Sequence, residues 1–302
     1  MWGANRTDAA RERQVRRVLG TEALLNAGVA GTKAAVGMAT GSSAILGDAV
    51  HSLADLANNG VALVASRLAS APPDREHPYG HGKFETLAVF GLATLLAVLA
   101  VEVGLGALRG EPRTLGTEPW CLALMLGVLG VNIAVAGWEQ HWARRLDSEL
   151  LRADARHTLA DVCITIAVVG SWQLAAAGYA WLDPLATLAV AGLILMLAWD
   201  LFRRAIPILV DQSPVDTKAL GLAVGRVPGV RSARRVRARG TAPETRVDVV
   251  VSVDGRLSTD ASHAIADRIE SVLSEQFAVD DVAVHVEPEP APHWEPTQKE
   301  TP

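Results

Sequence analysis

About six segments of this chain stay apolar for the ~20 residues that one bilayer-crossing helix needs, and nothing else in the sequence constrains its fold as strongly. They are 18–39, 42–66, 86–108, 119–140, 158–179 and 184–206. In lipid, a segment must satisfy its own backbone hydrogen bonds, so runs of this length cross as helices. Half of the 302 residues are hydrophobic and the mean hydropathy is positive, yet a fifth are charged. That balance suits a membrane part joined to a soluble part. The change comes at Asp211, after which charged and apolar residues alternate as in a water-exposed domain.

The basic residues give the orientation, because short loops rich in Lys and Arg stay on the cytoplasmic side. Five arginines lie before residue 18, three basic residues (Arg67, Arg75, Lys83) in the 67–85 loop, and Arg144, Arg145, Arg152 and Arg156 in the 141–156 loop, with Arg203 and Arg204 after the last span. The opposite loops hold Arg109 and Arg113 near 110–117 and no basic residue around 40 or 180. Both termini are therefore expected in the cytoplasm, with residues 1–17 as a cytoplasmic segment. The first apolar run lacks a small-residue cleavage site and reads as a retained span. The sequon Asn5-Arg6-Thr7 then faces the wrong side to matter. A net charge of -5 with arginines in short clusters gives nucleic-acid binding no support. Cys121 and Cys163 sit apart in apolar segments, as packing residues and not as a disulfide or thiolate site.

Beyond the spans, the pattern predicts helix, strand, strand, helix, strand. Ser213-Pro214 opens a helix that stops near Pro228-Gly229. Strands follow over 230–239 and 246–253, the second placing Val247, Val249, Val251 and Val253 on one face. Ser258 caps a helix through about Phe277, and Val282 to Val286 forms the last strand. Two helices on one face of a small sheet make a compact α+β domain over 211–287. The Pro/Glu-rich stretch 288–302 is expected to be disordered.

Ionisable side chains inside a membrane span are costly and mark function. Asp48, His51 and Asp55 fall in the second span, and Asp154, His157 and Asp161 at the start of the fifth. His51 and Asp55 are four apart, as are His157 and Asp161, so each pair projects from one helix face. One such pair in a soluble helix would be a surface coincidence. Two of them within spans supply two imidazoles and two carboxylates, a set suited to tetrahedral Zn²⁺; hydrogen bonding across a helix interface is the competing structural reading. Asn26, Lys33, Asn132 and Glu102 are the other polar intruders, Asn26 placed to line a pathway, Lys33 and Glu102 placed to snorkel toward an interface.

These residues carry a resemblance. Gly47-Asp48-Ala49-Val50-His51-Ser52-Leu53-Ala54-Asp55, then His77-Pro78-Tyr79-Gly80-His81-Gly82-Lys83-Phe84-Glu85, then His157-Thr158-Leu159-Ala160-Asp161 resemble the cation diffusion facilitator family in motif, order and spacing. The resemblance implies an α-helical membrane protein of about six transmembrane helices over 18–210, with a C-terminal α+β ferredoxin-like cytoplasmic domain that senses metal and dimerises. It implies a homodimeric metal/proton antiporter in the bacterial cell (inner) membrane, with divalent metal ions, protons and membrane lipid as partners. The family's transport site falls on His51, Asp55, His157 and Asp161. A loop site falls on Asp74, His77 and His81, which without the family reads as part of a polar loop. A cytoplasmic site falls on His263, His285 and Glu287. Val250 stands where the family often has a histidine, leaving that cluster incomplete and solvated histidines as the alternative. Lys83 and Asp211 match a structural ion pair of the family, and His141 and His293 are read as solvated.

Metal and protons compete for the same donors, because zinc binds neutral imidazole and ionised carboxylate. Exchange of Zn²⁺ for protons by alternating access follows as the expected function, with zinc also a regulatory ligand and Cd²⁺, Co²⁺ or Fe²⁺ as further candidates for the cargo. No P-loop is present to couple nucleotide hydrolysis. A membrane metallohydrolase would use the same ligands but needs a general base beside the metal, and HExxH is absent, so no enzyme is expected. A metal sensor without transport is the third reading.

Overall fold

The computed structural model describes residues 4–109, 115–241 and 244–289, with no side chain before Val18. The side chains of the N-terminal arginines and of the sequon, together with Arg113, His293 and the tail beyond Glu289, lie outside what is described. The chain forms two compact units divided between Arg203 and Arg204.

Six long helices arise where the apolar runs are: α1 (Ala4–Thr40), α2 (Ser43–Ala69), α3 (Lys83–Arg109), α4 (Pro119–Leu146), α5 (Glu149–Ala176) and α6 (Leu182–Leu209). Four of them, α3 to α6, are long and apolar enough to cross a membrane by length and composition, yet only 28–33% of each span's most apolar window is buried. The remainder, including Leu95, Val98, Ile133 and Trp199, points outward. So much exposed apolar surface on a packed bundle fits lipid, since a soluble monomer rarely shows large contiguous apolar patches. The first two helices carry more polar residues, and many of those point inward.

Tight turns set which helices are neighbours. Gly41 takes φ +70 between α1 and α2, a left-handed conformation that costs glycine little. The helices then pack so closely that a Cβ on Gly37 would lie 2.8 Å from the Leu46 side chain. Asp147 in the left-handed region ends α4, and Ser148 caps α5 by accepting from the Leu151 N–H. The predicted 141–156 loop is thus mostly helix: the interhelical turn is only Asp147 and Ser148, because the Ser cap starts α5 two turns before the apolar run that predicts it. Asp183, buried at the start of α6, accepts from the Ser43 N–H at 2.9 Å and from the Ser42 hydroxyl. Ile45, Leu96, Met125, Trp172 and Ile194 form the centre of the helical core. Cys121 is buried as expected, whereas Cys163 is exposed on α5 and does not pack inside.

The second unit contains α7 (Thr217–Gly225), β1 (Ser232–Thr241), β2 (Glu244–Asp254), α8 (Thr259–Phe277) and β3 (Asp281–Glu289). The strands lie in the order β1-β2-β3, with β1 antiparallel and β3 parallel to β2. Val247, Val249, Val251 and Val253 are all buried against Leu220 and Val224 of α7 and Ile265, Ile269 and Leu273 of α8. Alternation along β2 therefore places the core as the period-two pattern requires. Three boundaries differ from expectation. Asp216 caps α7 by accepting from the Lys218 N–H at 2.9 Å, while the Ser213 hydroxyl instead donates to the Val215 carbonyl. A bulge at Arg235 (φ +50) interrupts β1 between Arg234 and Arg237. Pro288 and Glu289 belong to β3, paired with Val253 and Asp254, and not to the tail.

Candidate metal centre

α2 presents His51 and Asp55 one turn apart and α5 presents His157 and Asp161 one turn apart, and the bundle brings the two turns face to face. His51 Nε2 lies 3.7 Å from Asp55 Oδ2 and 3.5 Å from Asp161 Oδ1. His157 Nε2 lies 3.6 Å from Asp55 Oδ1 and 4.0 Å from Asp161 Oδ2. Each imidazole thus borders both carboxylates. These separations exceed a good hydrogen bond. They approach the edge of a zinc tetrahedron, since donors at about 2.1 Å from the ion stand about 3.4 Å apart.

Burial makes that spacing informative. Among the described residues, four buried side-chain polar atoms lack a hydrogen-bond partner, and three are His51 Nδ1, Asp55 Oδ2 and Asp161 Oδ1. Orphaned polar atoms in a low-dielectric interior cost free energy unless something binds them. A divalent ion would satisfy the two carboxylate oxygens together. His51, Asp55 and Asp161 converge with one donor atom each within 4.8 Å, while His157, with its side chain 52% exposed, stands at the open edge.

The polar neighbours of this centre were only partly legible in the sequence. Lys33 does not snorkel: it is fully buried, and its ammonium donates to Asp48 Oδ1 at 2.9 Å and Ser52 Oγ at 3.0 Å. The short α1–α2 turn brings it alongside Asp48 instead of letting it reach an interface. Thr165 donates to the other Asp48 oxygen at 3.2 Å, so one carboxylate ties α1, α2 and α5 together beside His51. Glu102 is exposed, Asn132 is buried and the Asn26 amide donates to Glu22 Oε1 at 3.0 Å. Glu22 and Glu139 are buried on α1 and α4, and the cost of a carboxylate within an apolar helix is the sequence signal that singles them out.

Asp74, His77 and His81 also converge, on the α2–α3 loop. Asp74 Oδ1 lies 3.3 Å from His77 Nδ1 and its Oδ2 lies 3.3 Å from His81 Nε2. The backbone N–H groups of His77 and Glu76 donate to Asp74 Oδ1, and the His77 one above all holds its carboxyl below the usual carboxylate range. Phe84 packs against both rings. The loop therefore offers an ionised carboxylate between two imidazoles.

His263, His285 and Glu287 are not gathered within one chain. His263 is exposed on α8 beside Asp267 at 3.6 Å, whereas α8 packs on the valine face of the sheet. His285 pairs in register with Val250 on the opposite face, 3.6 Å from Glu287. Arg234 holds Glu287 at 3.2 Å from its other oxygen. Lys83 opens α3 and Asp211 follows α6 with φ +53. His141 is exposed near the end of α4.

Comparison with known proteins agrees with this arrangement of parts. Residues 21–210 match the cation efflux transmembrane domain and residues 213–289 match the cation efflux protein cytoplasmic domain. Metal tolerance protein 2 of Oryza sativa subsp. japonica is 29% identical over 92% of this chain and 78% of its own length. Cation-efflux pump FieF of Pectobacterium carotovorum subsp. carotovorum is 29% identical over 82% of this chain and 84% of its own. Manganese efflux system protein MneS of Bacillus subtilis is 27% identical over 85% and 89%. With both units matched in order and most of the sequence covered, this chain belongs to the cation diffusion facilitator family of integral membrane cation efflux proteins.

Proposed function

We propose that this protein exports Zn²⁺ from the cytoplasm in exchange for protons, holding the ion between His51, Asp55, His157 and Asp161. The observation that carries this reading is the convergence of two imidazoles and two carboxylates at tetrahedral spacing with orphaned buried oxygens. Two nitrogen donors favour zinc over manganese, for which oxygen donors suffice. Because the ion needs the neutral imidazoles and ionised carboxylates that protons would otherwise occupy, each metal that leaves the centre frees donors for protonation. His51 and His157 are the proton carriers, since an imidazole that has released the metal can take up a proton in its place. Asp74, His77 and His81 form a second metal-binding group on the α2–α3 loop.

The test is flux into sealed proteoliposomes. Zinc uptake should accelerate when the lumen is acidic, since protons then leave down their gradient as metal enters. Uptake indifferent to the gradient would sink the exchange, and no uptake would sink the transporter. Manganese is the alternative cargo because one relative is named for its efflux. Mn²⁺ uptake faster than Zn²⁺ at equal concentration would decide for it.

Orientation and assembly follow from the same reading: both termini lie in the cytoplasm, and the second unit holds a homodimer. A cysteine introduced at Asp147 in a background lacking Cys121 and Cys163 should react with an impermeant thiol reagent only after the membrane is opened. Labelling of intact cells would reverse the orientation, and sedimentation showing only monomer in detergent would remove the dimer.

A further inference from the structure

We propose that Glu22, Glu139 and Asp154 form a further site, for a hard divalent cation, built entirely of oxygen donors between α1, α4 and α5. The three carboxylates each bring an oxygen within 4.8 Å of the others. Glu22 is 5% exposed and Glu139 is 0% exposed, so both are withdrawn from water. Among the described residues no Lys or Arg nitrogen lies within 4.0 Å of any of them.

Hydrogen bonds from neighbouring side chains satisfy only part of the group. The Thr158 hydroxyl donates to Glu139 Oε2 at 3.0 Å and the Asn26 amide donates to Glu22 Oε1. Glu139 Oε1 is buried and accepts nothing. Like charges this close in a low dielectric repel strongly, and a buried carboxylate keeps its charge only when a positive charge compensates it. Among the described residues, no Lys or Arg nitrogen beside these carboxylates supplies that charge. A cation bound by three carboxylates does, and leaves the open positions such ions fill with water.

The donor set defines the ligand class. With no imidazole or thiolate, the site suits hard, oxygen-seeking ions such as Mn²⁺ or Mg²⁺ over those that prefer nitrogen. Its construction is deliberate in one respect: the two-residue α4–α5 turn seats Glu139 against Thr158, next to His157 on α5. Asp154 precedes His157 by one helical turn. The site thus shares α5 with the His51/Asp55/His157/Asp161 centre but none of its ligands.

Equilibrium binding tests it on the full-length purified chain. Mn²⁺ is the probe, counted by the electron paramagnetic resonance signal of the free ion, in an Asp161→Ala, His77→Ala background that disables the transport centre and the loop group. One Mn²⁺ per chain should remain bound there, and adding Glu139→Gln, a near-isosteric change, should weaken that binding at least tenfold. Glu22→Gln and Asp154→Asn should do the same, which keeps the test decisive if one variant fails to fold. Unchanged Mn²⁺ binding in all three overturns the site. So does a background chain that binds none while infrared absorption shows a protonated carboxyl that Glu139→Gln removes, because the cluster is then neutralised by protons. Binding is read without transport and without Asp161, so its loss leaves the zinc-flux reading standing, and absence of flux leaves this result standing.

Discussion

Zinc flux through Asp161→Ala and Asp55→Ala should fall by more than about 100-fold. Residues that only orient a metal's ligands cost 10–100-fold in affinity or activity when removed, and a ligand costs more. Each of these carboxylates borders both imidazoles, so removing either breaks two of the four close contacts that define the centre. His51→Ala should behave likewise, because three donors do not complete a tetrahedron. His51→Asp is the informative exception. It restores a ligand but leaves one nitrogen and three oxygen donors, so zinc's advantage over Mn²⁺ should shrink while transport persists. His263→Ala, exposed on α8, should keep a substantial rate. Uptake of both ions by purified variants in proteoliposomes separates these outcomes, and wild-type zinc flux in His51→Ala would falsify its role as a ligand.

A second large effect is expected on stability. Asp48→Ala leaves the Lys33 ammonium, fully buried and held at 2.9 Å by that carboxylate, without its countercharge. Breaking one side of a buried pair costs about 3–5 kcal/mol, whereas replacing both partners by apolar groups of similar volume is often neutral. Lys33→Met with Asp48→Leu should therefore recover most of the loss. Thermal unfolding in detergent of the two single variants and the double variant measures the coupling. Equal, additive destabilisation would show that the pair does not act as a unit. The effect on transport should follow stability only partly, because Asp48 also accepts from Thr165 and so aligns α2 with α5, the two helices that carry the proposed metal ligands.

Much of the fold was visible because its signals are one-dimensional. A bilayer demands a length of apolar chain, and a buried sheet face demands alternation, so α3 to α6 and the Val247–Val253 face could be read by counting. Helix ends were less legible. The apolar run predicts α5 from residue 158, but Ser148 and the turn before it start the helix at Glu149. Hydropathy is blind to a cap, since a cap works through one side-chain oxygen and one backbone N–H. Ser213 failed as a cap for a similar reason: its hydroxyl found the Val215 carbonyl, and Asp216 took the role.

The sequence by itself determined which groups this protein could use: the spacing of four puts histidine and aspartate on one helix face twice, and the cost of burying such groups in lipid argues that they meet. Tertiary structure alone decided what each group faces. Lys33 and Asp48 stand fifteen residues apart with nothing in the sequence to pair them, and only the tight α1–α2 turn makes them partners. Glu22, Glu139 and Asp154 share no motif and lie on three helices, so their convergence exists only once the bundle closes. His263 and His285 show the converse: a shared family pattern placed them together, but packing of α8 on the valine face leaves His285 exposed on the other side of the sheet. Periodicity fixes the face of a residue within its own element, whereas the neighbour across that face depends on turns, close approaches and sheet order, which act between elements distant in sequence.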